Sequence, residues 1–185
     1  QRLDGLDTVV VTAGAFATQE QLERDPSLAA KVLTLDFANT VLFCEEARKK
    51  LLMRGGGTLC AFSSVAGDRG RSPIIMYGAA KAGLSAYLEG LDHKYRKEGL
   101  VTVCVKPGFV RTGMTEGLKA PPFAGEPEAV AEVRAEVLAV GVHDGNATRL
   151  SAPGNQFLPE GADTVDLSRR NLRAPCHLEP SSRLH

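Results

Sequence analysis

The sequence has no surplus of charge of either sign: 22 Lys and Arg balance 22 Asp and Glu across 185 residues. A neutral chain lacks the electrostatic footprint of a nucleic-acid binder or a polybasic membrane binder. Long apolar runs are missing too. Val9 to Ala17 is nearly apolar, but it is short and interrupted by Thr12, whereas a membrane span needs ~18 residues. The four cysteines, Cys44, Cys60, Cys104 and Cys176, form no CxxC pair, which argues against a zinc ribbon. Glycine and proline together are 29 residues, too few for a collagenous or low-complexity chain. The start at Gln1 carries no basic, apolar, small-residue signal and reads as a piece of a longer protein. Cys60 and Cys104 sit in apolar, strand-like runs and read as buried thiols, which implies a reducing, cytoplasmic setting.

What is present is an alternation of strand and helix patterns. Thr8-Val9-Val10-Val11-Thr12-Ala13-Gly14 is a β-branched run ending in a glycine turn. From Pro26 to Met53 the pattern is helical, with Leu28, Val32, Leu35, Leu42, Ala47 and Leu51 at helical spacings. Gly55-Gly56-Gly57 ends it. Thr58 to Ser63 is an almost wholly apolar strand, as expected in a parallel sheet covered on both faces. A polar loop covers Gly67 to Ser72, and a second long helix runs from about Met76 to Glu98. Leu100 to Lys106 is a third buried strand, broken by Pro107-Gly108. A proline-rich loop, Gly113 to Pro127, leads to a third helix, Glu128 to Val140. The order β-α-β-α-β-loop-α predicts an α/β chain with right-handed crossovers and a parallel sheet.

Several polar groups fall at one end of that sheet. Tyr77 and Lys81 are four apart at the start of a helix and share a face. An ammonium beside a phenol favours the phenolate and lowers its pKa from about 10. A phenol drawn down in this way can exchange a proton with a carbonyl/alcohol pair. Ser64, in Ser63-Ser64-Val65-Ala66-Gly67, lies just past the carboxyl end of the second strand, 13 residues before Tyr77. Pro107 to Thr112 follows the third strand, and Thr12-Ala13-Gly14 the first. Ligands of open α/β sheets bind outside the carboxyl ends of the strands.

These pieces, together with Tyr77-Gly78-Ala79-Ala80-Lys81-Ala82-Gly83, stand in the order and spacing of the short-chain dehydrogenase/reductases, and residues 3–140 resemble that family. The resemblance implies a partial, Rossmann-like, doubly wound parallel sheet over residues 1–140. It implies Tyr77 as general acid/base, Ser64 on the substrate carbonyl, and Lys81 on the nicotinamide ribose and beside Tyr77. Pro107, Gly108, Val110 and Thr112 would line the nicotinamide carboxamide. Ala13 and Gly14 would admit the adenosine side of the cofactor. The implied chemistry is hydride transfer between NAD or NADP and a small-molecule or lipid-linked carbonyl, in a homo-oligomer formed by the two long helices. Ser63 to Arg71 and Lys106 to Thr115 look most like reductases of the decaprenylphosphoryl-2-keto-ribose reductase type. Met114, Leu118, Pro122 and Phe123 suggest an apolar substrate wall.

The sequence also departs from the family. Val11-Thr12-Ala13-Gly14 replaces the usual Asn-Asn-Ala-Gly. The family's relay Asn, 28 residues before the serine, maps to Asp36, with Asn39 off register. Asp36 accepts hydrogen bonds but, when ionised, donates none. No TGxxxGxG run, the family's pyrophosphate cradle, occurs in the sequence, and Gly55 to Gly57 stand in the wrong context. Residues 141–185 hold no Lys and five Arg, with nine Leu, Ile, Val or Phe and no period. They read as a disordered tail or the product of a shifted reading frame. Val165 and Leu167 flank Asp166 there as a strand start without support. His143, Cys176, His177 and His185 are too irregularly spaced to predict a metal site. A second functional reading is a non-catalytic remnant that serves as an interaction module.

Overall fold

The computed structural model describes residues 5–131, 149–151 and 164–166. Three strands of the sequence reading form a parallel ladder: β1 Thr8–Val11, β2 Gly57–Phe62 and β3 Leu100–Lys106. Two three-residue strands, β4 Arg149–Ser151 and β5 Thr164–Asp166, extend the order to β1-β2-β3-β4-β5, all parallel. The strand start suspected at Val165 is thus paired. The rest of 141–185, including the four metal-capable residues, lies outside the described residues. So does most of the third predicted helix, of which 128–131 is described as helical.

Side chains alternate across the sheet as strand geometry requires. Val9, Val11, Leu59, Ala61 and Leu100 face one side, and Val10, Cys60, Val101 and Val103 face the other. The first side is covered by α3 (Thr40–Leu52) and α4 (Ile75–Tyr95). Leu51, Leu84, Leu88 and Leu91 pack there against the strands. Each such leucine contributes about 2 kcal/mol of burial.

The helix predicted as one piece from Pro26 to Met53 contains a defect that the spacing does not reveal. α2 (Pro26–Leu33) runs into a π-helical turn, Thr34–Asn39, before α3 begins. The wider turn carries its inward positions at intervals of four: Val32, Asp36, Thr40 and Cys44 are all buried. Beyond it the interval returns towards the α-helical one, with Ala47 and Leu51 inside. Leu42, counted with the apolar stripe by sequence spacing, is consequently turned out, 64% exposed. Thr40 Oγ1 donates to the Leu35 carbonyl at 2.7 Å, satisfying a carbonyl within the widened turn. π-turns of this kind occur mostly where function needs a side chain redirected, and here the redirected residue is Asp36.

A short helix absent from the sequence reading, α1 (Gln19–Arg24), precedes α2. A capping box starts it: the Thr18 side chain accepts from the Gln21 N–H, and the Gln21 side chain accepts from the Thr18 N–H. Among the described residues, Pro26–Leu52 is the one helical run long and apolar enough to cross a membrane. Here its Val32, Cys44, Ala47 and Leu51 are packed inside the protein.

Candidate active site

The site begins with how closely α4 lies on the turn after β2. Val65–Gly67 is a single 3-10 turn, and Ser64 caps it by accepting the Ala66 N–H at 3.1 Å. A Cβ on Gly67 would stand 2.5 Å from the Ala82 nitrogen, and one on Gly78 would stand 2.8 Å from the Ala66 carbonyl oxygen. Glycine at both positions lets backbone meet backbone. Two buried hydroxyls lock the contact. Ser63 Oγ and Ser85 Oγ are 2.7 Å apart, and each lies 2.9 Å from the Lys81 carbonyl oxygen. Ser63 N–H also donates to the Val105 carbonyl at 2.8 Å, and Lys106 pairs with Asp68 at 2.5 Å. The ends of β2 and β3 and the first turns of α4 therefore form one rigid corner.

Ser64, Tyr77 and Lys81 meet in that corner. The Ser64 hydroxyl faces the Tyr77 phenol closely enough to favour its ionised form. Lys81 is 3% exposed, and its Nζ donates to the Phe62 carbonyl at 3.3 Å and stands 5.7 Å from the centre of the Tyr77 ring. The π-turn delivers Asp36, fully buried, to the other side of the same ammonium at 3.7 Å. Asp36 Oδ1 also accepts the Ala15 N–H at 2.8 Å, and Oδ2 has no partner. Asn39 is exposed, so Asp36, and not Asn39, occupies the inward position.

The electrostatics correct one expectation. Lys81 was expected to draw the Tyr77 phenol down. Instead the phenol is pushed up to about 12, first by burial and then by the Asp36 carboxylate, against a smaller lowering from Ser64. The Asp36 carboxylate, 3.7 Å from the ammonium, opposes its field at the phenol. Burial lowers the Lys81 pKa and raises that of Asp36, while each opposes the other's shift by attraction.

Around this centre, the remaining predicted residues are placed unequally. Gly14 lies against the pair: a Cβ there would fall 3.3 Å from Asp36 Oδ1, 3.4 Å from Lys81 Nζ and 3.9 Å from Met114 Cε. Ala13 is exposed beside it. Pro107 follows β3, and its carbonyl accepts the Val65 N–H at 3.2 Å. Gly108 is exposed, and Val110 is held in a parallel bridge with Gly125. Thr112 caps the short turn Gly113–Thr115. A cavity of about 350 Å³ opens there, lined among others by Phe109, Arg111, Thr112, Thr115 and Leu118. Of the suggested apolar wall, Leu118 lines the cavity and Met114 approaches Gly14. Pro122 and Phe123 are exposed, the latter by 62%. Among the described residues, no cluster of His, Cys, Asp or Glu is arranged to hold a metal ion. Ser85, Phe16 and Gln19 were not anticipated. Phe16 meets the Tyr77 ring edge-on, and Gln19 bonds to the start of α4.

Known proteins are similar to this chain in sequence and fold. An uncharacterized oxidoreductase of Mycobacterium tuberculosis is 34% identical over 136 residues, which is 74% of this chain and 55% of that protein. Carbonyl reductase family member 4 of Xenopus laevis is 29% identical over 138 residues, 70% of this chain and 58% of that one. The chain thus spans little more than half the length of these relatives. Among solved structures, a putative NAD(P) dependent gluconate 5-dehydrogenase from Beutenbergia cavernae with bound NADP superposes with a TM-score of 0.68 at 20% identity, covering 78% of this chain and 64% of that one. That likeness shows the partial Rossmann-like α/β fold. The family model described as short chain dehydrogenase matches residues 1–122, two thirds of the sequence, and with it the Ser64, Tyr77 and Lys81 segments. The chain belongs to the short chain dehydrogenase family.

Proposed function

We propose that this chain carries the catalytic half of an NAD- or NADP-dependent oxidoreductase that interconverts a carbonyl and a secondary alcohol. The observation that carries this reading is the gathering of Ser64, Tyr77 and Lys81 beside the buried Lys81–Asp36 pair, at the carboxyl ends of three parallel strands. Tyr77 donates the proton to the carbonyl oxygen, and Ser64 holds that oxygen in line with the phenol. Lys81 carries a positive charge beside the phenol, and Asp36 anchors it.

The residues present fit the nicotinamide side of a dinucleotide. Gly14, expected on the adenosine side, instead stands beside Lys81 Nζ and leaves open there the space that a side chain would fill, and Pro107, Gly108, Val110 and Thr112 follow β3. Bound there, the nicotinamide supplies the hydride. BdcA, solved in complex with NADPH, shares the fold with a TM-score of 0.66 at 22% identity. The finer substrate class, a lipid-linked sugar ketone, rests on the runs 63–71 and 106–115 alone. The test is oxidation of NADPH and NADH in the presence of a panel of ketones. Ketone-dependent oxidation supports the reading. Failure to bind either cofactor favours the interaction-module reading.

One observation favours pairing of two copies through α3 and the end of α4. Leu42 and Phe43 on α3 and Met53 at its C-terminal cap are 64%, 57% and 86% exposed. Beside them Tyr87 donates to Glu45 at 2.9 Å, and Arg48 pairs with the same carboxylate at 2.6 Å. Phe43→Asp is expected to shift the species seen by light scattering from dimer to monomer.

A further inference from the structure

We propose that the segment Ala15–Gln19 is a positioning strap that fixes the start of α4, and with it the Tyr77 phenol. The proposal rests on the reading of Tyr77 as the acid/base. The first N–H groups of a helix have no partner within it, and α4 lacks a local cap: its N-cap residue, Ile74, makes no side-chain hydrogen bond. The partner comes from 57 residues away, where Gln19 Oε1 accepts the Met76 N–H at 3.1 Å. Gln19 is 8% exposed, and its Nε2 donates to Glu23 at 2.9 Å, which sets the amide with its oxygen towards α4. A buried amide is therefore aimed at the residue immediately before Tyr77.

The rest of the strap has equally definite partners. Phe16 meets the Tyr77 ring edge-on, with centroids 5.1 Å apart and planes at 79°, a favoured aromatic geometry. Ala15 N–H donates to Asp36 Oδ1, the same oxygen that faces Lys81. Ala17 is buried in a separate small core with Leu22, Ala29 and Val32, against which Met76 packs. Thr18 caps α1. Three of the five residues thus touch Tyr77, the residue before it or the partner of Lys81, and the other two anchor the segment. The phenol is held from the strap side as well as from the Ser64 side, and a misplacement of about 1 Å can cost on the order of a hundredfold in rate.

The experiment uses the full chain and the variants Gln19→Leu, Gln19→Glu and Phe16→Leu, with circular dichroism confirming the fold. Gln19→Glu keeps the acceptor and serves as the control, and Phe16→Leu carries the test should Gln19→Leu fail to fold. Amide exchange is expected to accelerate at Met76 in Gln19→Leu and to stay slow in Gln19→Glu. Phe16→Leu is expected to move the Tyr77 ring resonances and spare those of Tyr87 and Tyr95. In ketone reduction, Gln19→Leu and Phe16→Leu lower kcat by about tenfold or more while KM stays within about twofold. Parental exchange at Met76 in Gln19→Leu together with unmoved Tyr77 signals in Phe16→Leu overturns the strap. So does a parental kcat in both variants when Tyr77→Phe is inactive. Full turnover by Tyr77→Phe instead removes the acid/base reading on which the strap rests.

Discussion

Breaking the Asp36–Lys81 pair from either side should cost more than removing it whole. The two groups are 3.7 Å apart, with side chains 0% and 4% exposed. At an effective dielectric constant of about 20, Coulomb attraction at that distance is worth about 4 kcal/mol. Asp36→Leu leaves a buried ammonium with one 3.3 Å bond to the Phe62 carbonyl. Lys81→Met leaves a buried carboxylate whose Oδ2 already lacks a partner. Each single change is expected to lower stability by about 3–5 kcal/mol, the usual cost of orphaning one member of a buried pair. The double variant contains no buried charge here, so its loss should fall well short of the sum, by about 1–3 kcal/mol. Urea unfolding of the four proteins, followed by circular dichroism, measures the cycle. Single losses below about 1 kcal/mol that simply add would refute the claim that these residues form a coupled ion pair.

Other expectations follow from the same contacts. Gly78→Ala places a methyl group 2.8 Å from the Ala66 carbonyl oxygen, so it should destabilise by about 1–3 kcal/mol and loosen Ser64 from Tyr77. Thermal unfolding with and without the Ser64→Ala change measures both effects. The native state keeps the Tyr77 proton up to about pH 12, while an ordinary phenol releases it near 10. Its contribution to stability is therefore whole below pH 10 and is lost as pH rises towards 12, by about 3 kcal/mol. Urea midpoints of the parent and Tyr77→Phe, measured across that range, should diverge with this sign. The Cys44 thiol is fully buried and pushed up to about 11 by burial, so alkylation at neutral pH should be slow until the chain is unfolded.

The parts of the fold legible in the sequence were those written in period and punctuation. β3 matches the predicted run from Leu100 to Lys106 residue for residue, because β-branched and apolar residues are bounded by Gly99 and Pro107. The start of α4, its small residues and the Tyr77–Lys81 spacing were likewise visible. The π-turn was not, because a widened turn changes the phase of a helix without changing its composition. That phase is what buries Asp36 and exposes Leu42. α1 left a readable mark, Thr18 followed three residues later by Gln21, but its six residues are too few for an apolar stripe. The Gln19–Met76 bond joins positions 57 apart, and no local pattern reports such a contact. The direction of the Tyr77 shift was missed for a related reason. The Tyr77–Lys81 spacing displays the ammonium, while the opposing carboxylate comes from another helix.

The central claim is that Tyr77 moves the proton while the neighbouring residues hold the cofactor and substrate. Its most direct test compares the parent protein with Tyr77→Phe in ketone reduction and in NADPH binding. The account predicts a loss of at least about a hundredfold in kcat, with the NADPH dissociation constant changed by no more than about twofold, since the phenyl ring keeps its edge-on contact with Phe16. Turnover at the parental rate in Tyr77→Phe would contradict it.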